Sequence, residues 1–250
     1  MRDSDGIKRI GVIGAGVMGS GIAQSCATGG FEAICSDISA EALEKAREGV
    51  VRGRFGFDRA VERGKLRRED ADAALSRLTF TERFEEAAQC DLVVECIPER
   101  LDRKVRLMRE LDAVAPPESI LASNTSGFSI AALAAATERP GRVIGWHWAS
   151  PPVIMRFAEI VVTRETEDSV TGAVVEAART CGKNPVVVRD APMSWGFVAN
   201  RVYFAMIREA QRVVDEGIAS QEEVNQLMVD CYNWPVGPFA MVKGAGSGWQ

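Results

Sequence analysis

Short apolar runs alternate with longer amphipathic stretches through most of the chain. The apolar runs contain few polar residues, which is typical of strands that are covered by helices on both faces. They predict strands at Arg9–Ile13, Glu32–Ser36, Leu78–Phe80, Leu92–Ile97, Ile120–Ala122, Arg142–Trp148, Glu159–Val162 and Pro185–Val188. The stretches between them predict helices at about Met18–Thr28, Ala40–Val51, Leu101–Val114, Ile130–Thr137 and Val170–Cys181. This alternation is typical of βαβ units and indicates an α/β fold with a parallel sheet.

The segment from Arg47 to Arg77 departs from this alternation. It is rich in Arg, Lys and Glu, and it is long enough for a helix, a turn near Gly64 and a second helix. One interpretation is a solvated helical hairpin laid over the sheet. The other is that three of its arginines face an anionic ligand at the mouth of a cleft, namely Arg52, Arg54 and Arg59.

The pattern changes again near Asp190. A linker is expected at Pro192, because proline disfavours helix in the residue before it and cannot continue a strand ladder. Two helical patterns follow, Phe197–Glu216 and Gln221–Cys231, and the glycine-rich tail at residues 244–248 predicts a loop. We expect domains at 1–190 and 191–250, the second smaller and all-helical. Two long helices cannot bury their apolar stripes alone, which predicts a homodimer.

The composition narrows the class of protein. The chain has 250 residues, of which 46% are hydrophobic and 26% charged, and its net charge of −5 argues against a nucleic-acid-binding surface. Six cysteines without a CxxC pair, beside one histidine, make a metal site improbable. No stretch reaches the roughly 18 apolar residues of a membrane span, and the charged start at Met1–Asp5 is unlike a signal peptide. We therefore expect a cytoplasmic protein without a nucleic-acid or membrane partner.

A glycine-rich motif follows the first predicted strand and opens a helix. Its residues are Gly14, Ala15, Gly16, Val17, Met18 and Gly19. In a dinucleotide site the first glycine allows a tight turn, the second lets the backbone approach a pyrophosphate, and the third permits close helix–strand packing. Asp37 ends the second strand, 23 residues after Gly14, where a carboxylate binds ribose hydroxyls and repels a 2′-phosphate. The motif predicts a Rossmann-type doubly wound sheet that binds NAD; the alternative is a chance glycine turn.

The single histidine, His147, lies at the end of a predicted strand. A lone histidine is most often structural, but Glu159 interrupts the next apolar strand, and a buried acid is costly unless it is paired. If the two strands are neighbours, the carboxylate can orient the imidazole and raise its basicity, which suits proton removal from an alcohol. Asn124 to Ser126 follow another strand and add polar groups at the same sheet edge.

Taken together, the motifs resemble the L-3-hydroxyacyl-CoA dehydrogenase family over nearly the whole chain. They are Gly14–Gly19, Asp37, Ser123-Asn124-Thr125-Ser126, Trp146-His147-Trp148-Ala149-Ser150-Pro151, Glu159 and Gly196-Phe197-Val198-Ala199-Asn200-Arg201. The resemblance implies that His147 is the catalytic base, that Glu159 orients it, and that Ser126 and Asn200 bind the oxygens of the substrate. The implied cofactor contacts are Gly14, Gly16, Val17, Met18, Gly19, Asp37, Glu99, Lys104, Ser126 and Ser150.

The chain departs from the family's pattern near both ligands. Ser150 stands where the family carries an asparagine beside the nicotinamide, and a water can bridge the shorter side chain. The linker is two residues longer than usual, which places Trp195 either at the substrate mouth or between domains. Two positions that contact coenzyme A in the family are Gly53 and Ala60 here, without a side-chain donor. The expected further substrate contacts are Trp148, Trp195 and Arg54.

The resemblance implies NAD-dependent oxidation of a 3-hydroxyacyl-CoA, or the reverse reduction, within fatty-acid metabolism. The nearest alternative is the same chemistry on a carrier-bound acyl group, a free hydroxy acid, or an aromatic alcohol or aldehyde. The β-hydroxyacid dehydrogenases fit less well, because they need a lysine where Phe204 follows Asn200. A non-catalytic NAD-binding protein is the remotest alternative, since function belongs to sites and not to folds.

Overall fold

The computed structural model describes residues 6–247, which contain one sheet of eight strands in the order β3-β2-β1-β4-β5-β6-β7-β8. The strands are β1 (Arg9–Ile13), β2 (Glu32–Ser36), β3 (Leu78–Thr81), β4 (Leu92–Glu95), β5 (Ile120–Ser123), β6 (Val143–Trp148), β7 (Phe157–Val162) and β8 (Asn184–Arg189). Neighbouring strands are parallel except β6 and β7, which are antiparallel. Each predicted strand is present, with ends that differ by at most two residues.

Helices connect the strands and cover the sheet. Those that precede β8 are α1 (Val17–Thr28), α2 (Ala40–Arg52), α3 (Phe57–Glu62), α4 (Arg68–Ser76), α5 (Phe84–Ala88), α6 (Leu101–Val114), α7 (Ile130–Ala134) and α8 (Asp168–Thr180). The strand order reverses between β1 and β4, so the carboxyl ends of these two strands flank a topological switch point, where open α/β sheets bind ligands. The predicted Rossmann-type doubly wound sheet is confirmed.

Alternate residues of each strand enter two apolar cores on opposite faces of the sheet. One face packs on α1, α2 and α8, and it buries Val12, Val94 and Trp146 completely. The other packs on α5, α6 and α7, and it buries Val93 and Leu121. Because both faces are covered, the strands read as continuous apolar runs, which is the pattern that predicted them.

The arginine-rich insertion, which is the segment from Arg47 to Arg77, forms helices, as expected. α2 ends at Arg52, and α3 and α4 follow on either side of a turn at Gly64, whose φ of +64° favours glycine. Phe57 is buried in a small separate cluster with two alanines of α4 and Val50. The insertion therefore has its own apolar contacts beneath its charged surface.

The chain divides into two compact units, and the boundary along the sequence lies between Phe197 and Val198. The second unit contains α9 (Val198–Asp215), α10 (Gln221–Tyr232) and α11 (Pro238–Ser247). The loop predicted at residues 244–248 is wrong as far as Ser247, because α11 extends to that residue. The domain limits expected at 190/191 remain a proposal, and Met1–Asp5, the charged start of the chain, lies outside the described residues.

The first two residues of α11 stabilise this helix. Pro238 is the first helical residue, where its missing N–H and fixed φ suit a helix start. The next residue, Phe239, is buried, and its backbone N–H donates to Asn225 Oδ1 of α10 at 2.9 Å. These contacts within the second unit outweigh the low helix propensity of the glycines that follow.

Candidate active site

Five strands bring predicted site residues to one edge of the sheet. Gly14 follows β1, Asp37 follows β2, Glu99 follows β4, Ser126 follows β5, and His147 lies near the end of β6. These strands are parallel, so their carboxyl ends lie on the same side. The sheet therefore gathers most of the predicted site residues at the edge where α/β proteins bind ligands.

The glycine-rich loop has the geometry of a pyrophosphate site. Gly14 adopts a φ of +104°, and a Cβ there would approach Cys96 O to 2.8 Å, so the turn requires glycine. A Cβ on Gly16 would meet nothing within 4 Å, and Gly16 is exposed, which leaves open space beside the backbone at the start of α1. A Cβ on Gly19 would lie 1.7 Å from Gly14 O, so glycine allows α1 to pack on the loop. The exposed helix N-terminus can receive an anionic group of NAD.

The Asp37 carboxylate is held beside this loop. Its Oδ2 accepts a hydrogen bond from the backbone N–H of Ala15 at 2.7 Å, and its Oδ1 accepts one from Ser39 at 3.0 Å. The side chain is half-buried, and each carboxylate oxygen has a second lone pair for a ribose hydroxyl. Asp37 thus connects the glycine-rich loop with the position expected for a ribose.

A buried ion pair lies behind the end of β4. Lys104 of α6 is 1% exposed and donates to Glu95 Oε1 at 2.6 Å and to the Ile97 carbonyl at 3.1 Å. Glu95 is fully buried, and its other oxygen accepts from the Ser123 hydroxyl at 2.6 Å. Burial raises the pKa of the Glu95 carboxyl, while the Lys104 ammonium and the Ser123 hydroxyl act in the opposite direction.

Lys104 also contacts Glu99, which follows β4 at the carboxyl edge of the sheet. Lys104 Nζ lies 3.2 Å from Glu99 Oε2, and Glu99 Oε1 accepts from the Thr125 hydroxyl at 2.5 Å and from the Ser126 N–H at 3.0 Å. The structure therefore ties Glu99 to the loop after β5. Lys104 itself is buried among these groups, so it contributes to the cleft by holding Glu99. Sequence reasoning assigned no role to Glu95, although an acid in an apolar strand is the same signal that identified Glu159.

His147 and Glu159 are direct partners across the antiparallel pair β6–β7. The imidazole Nδ1 lies 2.8 Å from Glu159 Oε2, and both side chains are more than nine-tenths buried. An ionised carboxylate only accepts hydrogen bonds, so a neutral imidazole in this contact would carry its proton on Nδ1 and keep the lone pair on Nε2. The rings of Phe157 and Phe197 lie 5.3 Å and 5.8 Å from the imidazole, which gives the pair an apolar surround.

The two tryptophans expected at the substrate lie in different surroundings. Trp148 is 2% exposed and packs against Trp146 at 5.0 Å between ring centroids, so the structure places it in the core and not on the cleft surface. Its backbone N–H donates to Asn124 Oδ1 at 2.9 Å, which joins the ends of β5 and β6. Trp195 is 52% exposed and lies against Gly127, where a Cβ would approach its ring to 2.8 Å. Trp195 is thus adjacent to the Ser126 loop.

A cavity of about 450 Å³ opens beside the glycine-rich loop. It lies between α1, α2, the turn at residues 53–55 and the segment at 151–153, and Lys45 and Arg54 line it. Ser150 is half-buried and precedes this segment. Asn200 lies in the first turn of α9, in the second unit, and is half-buried.

Two negative findings apply to the part of the chain that the structure describes. None of its helices is long and apolar enough to cross a membrane. None of its His, Cys, Asp and Glu side chains form a group of three that could hold a metal ion.

Comparisons with known proteins agree with the geometry. The 3-hydroxyacyl-CoA dehydrogenase NAD binding domain matches residues 9–191, and the C-terminal domain of the same family matches residues 196–250. A probable 3-hydroxybutyryl-CoA dehydrogenase of Bacillus subtilis is 39% identical over 240 residues, which cover 96% of this chain and 82% of that protein. A 3-hydroxybutyryl-CoA dehydrogenase of Bradyrhizobium diazoefficiens is 37% identical over 240 residues, covering 96% and 80%.

The fold has a close match among solved structures. The crystal structure of (S)-3-hydroxybutyryl-CoA dehydrogenase from Ralstonia eutropha aligns with a TM-score of 0.88 at 36% identity, covering 94% of this chain and 81% of that one. The sequence and structural matches extend through both units, and the glycine-rich loop and Asp37 fit the NAD expected from them. This chain therefore belongs to the 3-hydroxyacyl-CoA dehydrogenase family and is an NAD-dependent oxidoreductase that acts on a CH–OH group.

Proposed function

We propose that the chain interconverts a 3-hydroxyacyl-CoA and the 3-oxoacyl-CoA, with His147 and Glu159 as an acid–base dyad. The observation that carries the proposal is the 2.8 Å contact between His147 Nδ1 and Glu159 Oε2 at the cofactor edge of the sheet. In oxidation, His147 Nε2 removes the proton of the substrate hydroxyl as the C–H bond at the carbinol carbon breaks. The glycine-rich loop and Asp37 would hold NAD, which would supply the hydride acceptor for that carbon. In reduction, the imidazolium returns the proton to the new alkoxide.

Glu159 supports both states of the histidine. Its carboxylate fixes the tautomer with the Nε2 lone pair available, and it stabilises the imidazolium that forms when the substrate proton is taken up. We propose that Ser126 and Asn200 bind the oxygens of the substrate. Glu99 holds the backbone of Ser126, so the ion pair with Lys104 contributes to the position of the loop.

Of the three arginines considered, Arg54 is the best supported candidate to bind the nucleotide part of coenzyme A. It lines the cavity beside the glycine-rich loop, where Gly49 and Gly53 leave room. Among the described residues no carboxylate pairs with Arg54, whose guanidinium lies over the Phe55 ring at 5.3 Å. Arg59, in contrast, pairs with Glu62 at 3.0 Å. We propose that Arg54 takes over the role of the phosphate-binding side chains that the family has at positions 53 and 60.

The variant Arg54→Met is expected to raise KM for acetoacetyl-CoA about tenfold, because one charge-assisted contact to a phosphate is lost. KM for the pantetheine thioester of the same acyl group should stay unchanged, since it lacks the nucleotide. Steady-state NADH oxidation with both substrates measures this. The matched control is Arg59→Met. Equal effects of Arg54→Met on both thioesters would contradict the assignment.

The first test of the proposed function compares acetoacetyl-CoA, acetoacetyl pantetheine and free acetoacetate as oxidants of NADH. Activity confined to the CoA ester, or strongest with it, supports the proposal. Absence of activity with the CoA ester, while NADH still binds by fluorescence titration, would remove the CoA-ester assignment. It would direct attention to the second candidate.

That second candidate is the same chemistry on a carrier-bound acyl group, a free hydroxy acid, or an aromatic alcohol or aldehyde. The absence of side-chain donors at Gly53 and Ala60 favours it, as does Trp195, which offers an exposed aromatic ring beside the Ser126 loop. An aromatic aldehyde assayed against NADH separates it from the first candidate. An aromatic substrate should lose affinity in Trp195→Ala, whereas acetoacetyl-CoA should not.

Asp37 predicts the cofactor preference. Asp37→Asn keeps one oxygen for the Ala15 N–H but removes the charge that repels a 2′-phosphate. We expect the ratio of kcat/KM for NADH over NADPH to fall at least tenfold, about the worth of one charge-assisted hydrogen bond. Glu44→Gln, at an exposed carboxylate of α2, is the control. A ratio that stays within twofold of the wild-type value would exclude this role.

We further propose that the chain forms a homodimer and works in the cytoplasm, in fatty-acid metabolism. In the second unit, Val202 and Leu227 are more than 60% exposed on α9 and α10, and such apolar surface favours association. Light scattering after size-exclusion chromatography gives the mass in solution. A 27.1 kDa particle at micromolar concentration would exclude the dimer.

A further inference from the structure

A buried cation outside the proposed dyad lies beneath the segment that joins β6 to β7. Lys183 precedes β8 and is 6% exposed. Among the described residues no carboxylate pairs with its ammonium. The ammonium instead donates to two main-chain carbonyls, Pro152 O at 2.5 Å and Met155 O at 2.9 Å, and lies 4.8 Å from the Trp148 ring centre.

A charge in this position is costly to the fold. Desolvation lowers the pKa of the Lys183 ammonium, while the nearby thiols of Cys181 and Cys26 act in the opposite direction. Apolar packing alone needs no ammonium at such a site, because an unbranched apolar side chain fills the same space without the desolvation cost. What the ammonium adds is a specific link between β8 and the two carbonyls.

The two carbonyls belong to a segment that borders the cofactor edge. Residues 149–156 follow the strand of His147, and they include Ser150, which is expected beside the nicotinamide. Pro152 also lines the cavity beside the glycine-rich loop. Its ring packs against Gly21 of α1, where a Cβ would lie 3.0 Å from Pro152 Cγ. The segment is therefore held against the cofactor-binding helix on one side and by Lys183 on the other.

We propose that Lys183 is a positioning residue for the NAD site, acting through the Pro152 and Met155 carbonyls on residues 149–156. It fixes the distance of Ser150 and of the Pro152 wall from the glycine-rich loop. The role in turnover rests on the proposed function, whereas the role in NADH binding does not depend on the identity of the substrate.

The test is Lys183→Met, which keeps the unbranched length of the side chain and removes the ammonium. We expect the protein to fold with a Tm close to that of the wild type. NADH Kd, measured by fluorescence without substrate, should rise about five- to tenfold. KM for NADH should rise as well, and by a larger factor than the factor by which kcat falls. Lys183→Arg, which keeps charge and donors, should recover a large part of the affinity. Lys65→Met, at an exposed lysine, is the matched control.

Three results would overturn the proposal. One is an NADH Kd for Lys183→Met within twofold of the wild-type value. Another is a loss of affinity that Lys183→Arg does not reduce. If Lys183→Met does not fold, Lys183→Gln takes its place, because its shorter, uncharged side chain cannot link both carbonyls, and an unchanged Kd in that variant is the third. Because Kd is measured without substrate, failure of the acetoacetyl-CoA assay leaves this test intact.

Discussion

Replacing His147 by glutamine is expected to lower kcat by about 10²- to 10⁴-fold, the usual contribution of a general acid–base group, while NADH affinity changes less than about threefold. Glutamine is the appropriate substitution because its amide can still donate to Glu159 Oε2, so that a carboxylate more than nine-tenths buried keeps a partner. It cannot take up a proton at neutral pH. Steady-state turnover with acetoacetyl-CoA, together with an NADH titration by fluorescence, measures both quantities on the same preparation.

The partner variant shows whether His147 and Glu159 act as one unit. Glu159→Gln should lower kcat by a smaller factor, because the imidazole stays in place but loses the charge that stabilises its protonated form. The double variant should be no slower than His147→Gln alone, since a carboxylate that acts only through the histidine contributes nothing after the histidine is gone. Multiplicative losses would show separate roles. Turnover of His147→Gln near the wild-type rate would refute the dyad itself.

The order of elements could be predicted because local and global preferences agree. Strands that are buried on both faces, such as β1 and β4, read as apolar runs, and the glycine-rich motif marks the switch point between them. His147 and Glu159 could be paired in advance because an acid inside an apolar strand needs a partner. Their spacing suits two neighbouring antiparallel strands, and the register places them opposite each other.

Burial within a strand could not be predicted from the same pattern. Trp148 follows a candidate catalytic residue and was expected at the substrate, but the alternation of side chains turns it to the opposite face from His147, into the core with Trp146. When both faces of a sheet are apolar, hydropathy does not distinguish the face that ends in a cleft from the face that ends under a helix. The short helix α5 was missed for a similar reason, because five residues show no period.

Contacts between distant segments were also outside the reach of the sequence. Lys183 lies 28 residues after Met155, whose carbonyl it holds, and nothing in the intervening pattern indicates the contact. The family resemblance implied that Lys104 is a cofactor contact. Its burial against Glu95 follows only from the packing of α6 behind β4. In both cases the sequence pattern does not indicate that the charged side chain is buried, and the structure places it in the interior.

Breaking the Glu95–Lys104 pair on one side is expected to cost about 3–5 kcal/mol of unfolding free energy, because an ammonium that is 1% exposed loses its buried carboxylate. Glu95→Ala removes the carboxylate and leaves Lys104 with the Ile97 carbonyl and the partly exposed Glu99. Urea unfolding without NADH measures the effect, since bound cofactor would add stability by mass action. The exposed pair Arg59–Glu62, with Arg59→Ala, is the control and should lose at most about 1 kcal/mol.

The double variant Glu95→Leu/Lys104→Met separates the contribution of the Glu95–Lys104 pair to stability from its contribution to NADH binding. Apolar residues of similar size can replace a buried ion pair at little cost, so most of the lost unfolding free energy should return. NADH affinity should nevertheless fall below the wild-type value in this double variant, because Glu99 then lacks the ammonium 3.2 Å away that holds it against the Ser126 loop. A double variant as unstable as Glu95→Ala would show that this interior requires the charges for folding. A double variant that is stable and binds NADH as tightly as the wild type would show that Glu99 is held by Thr125 and Ser126 alone.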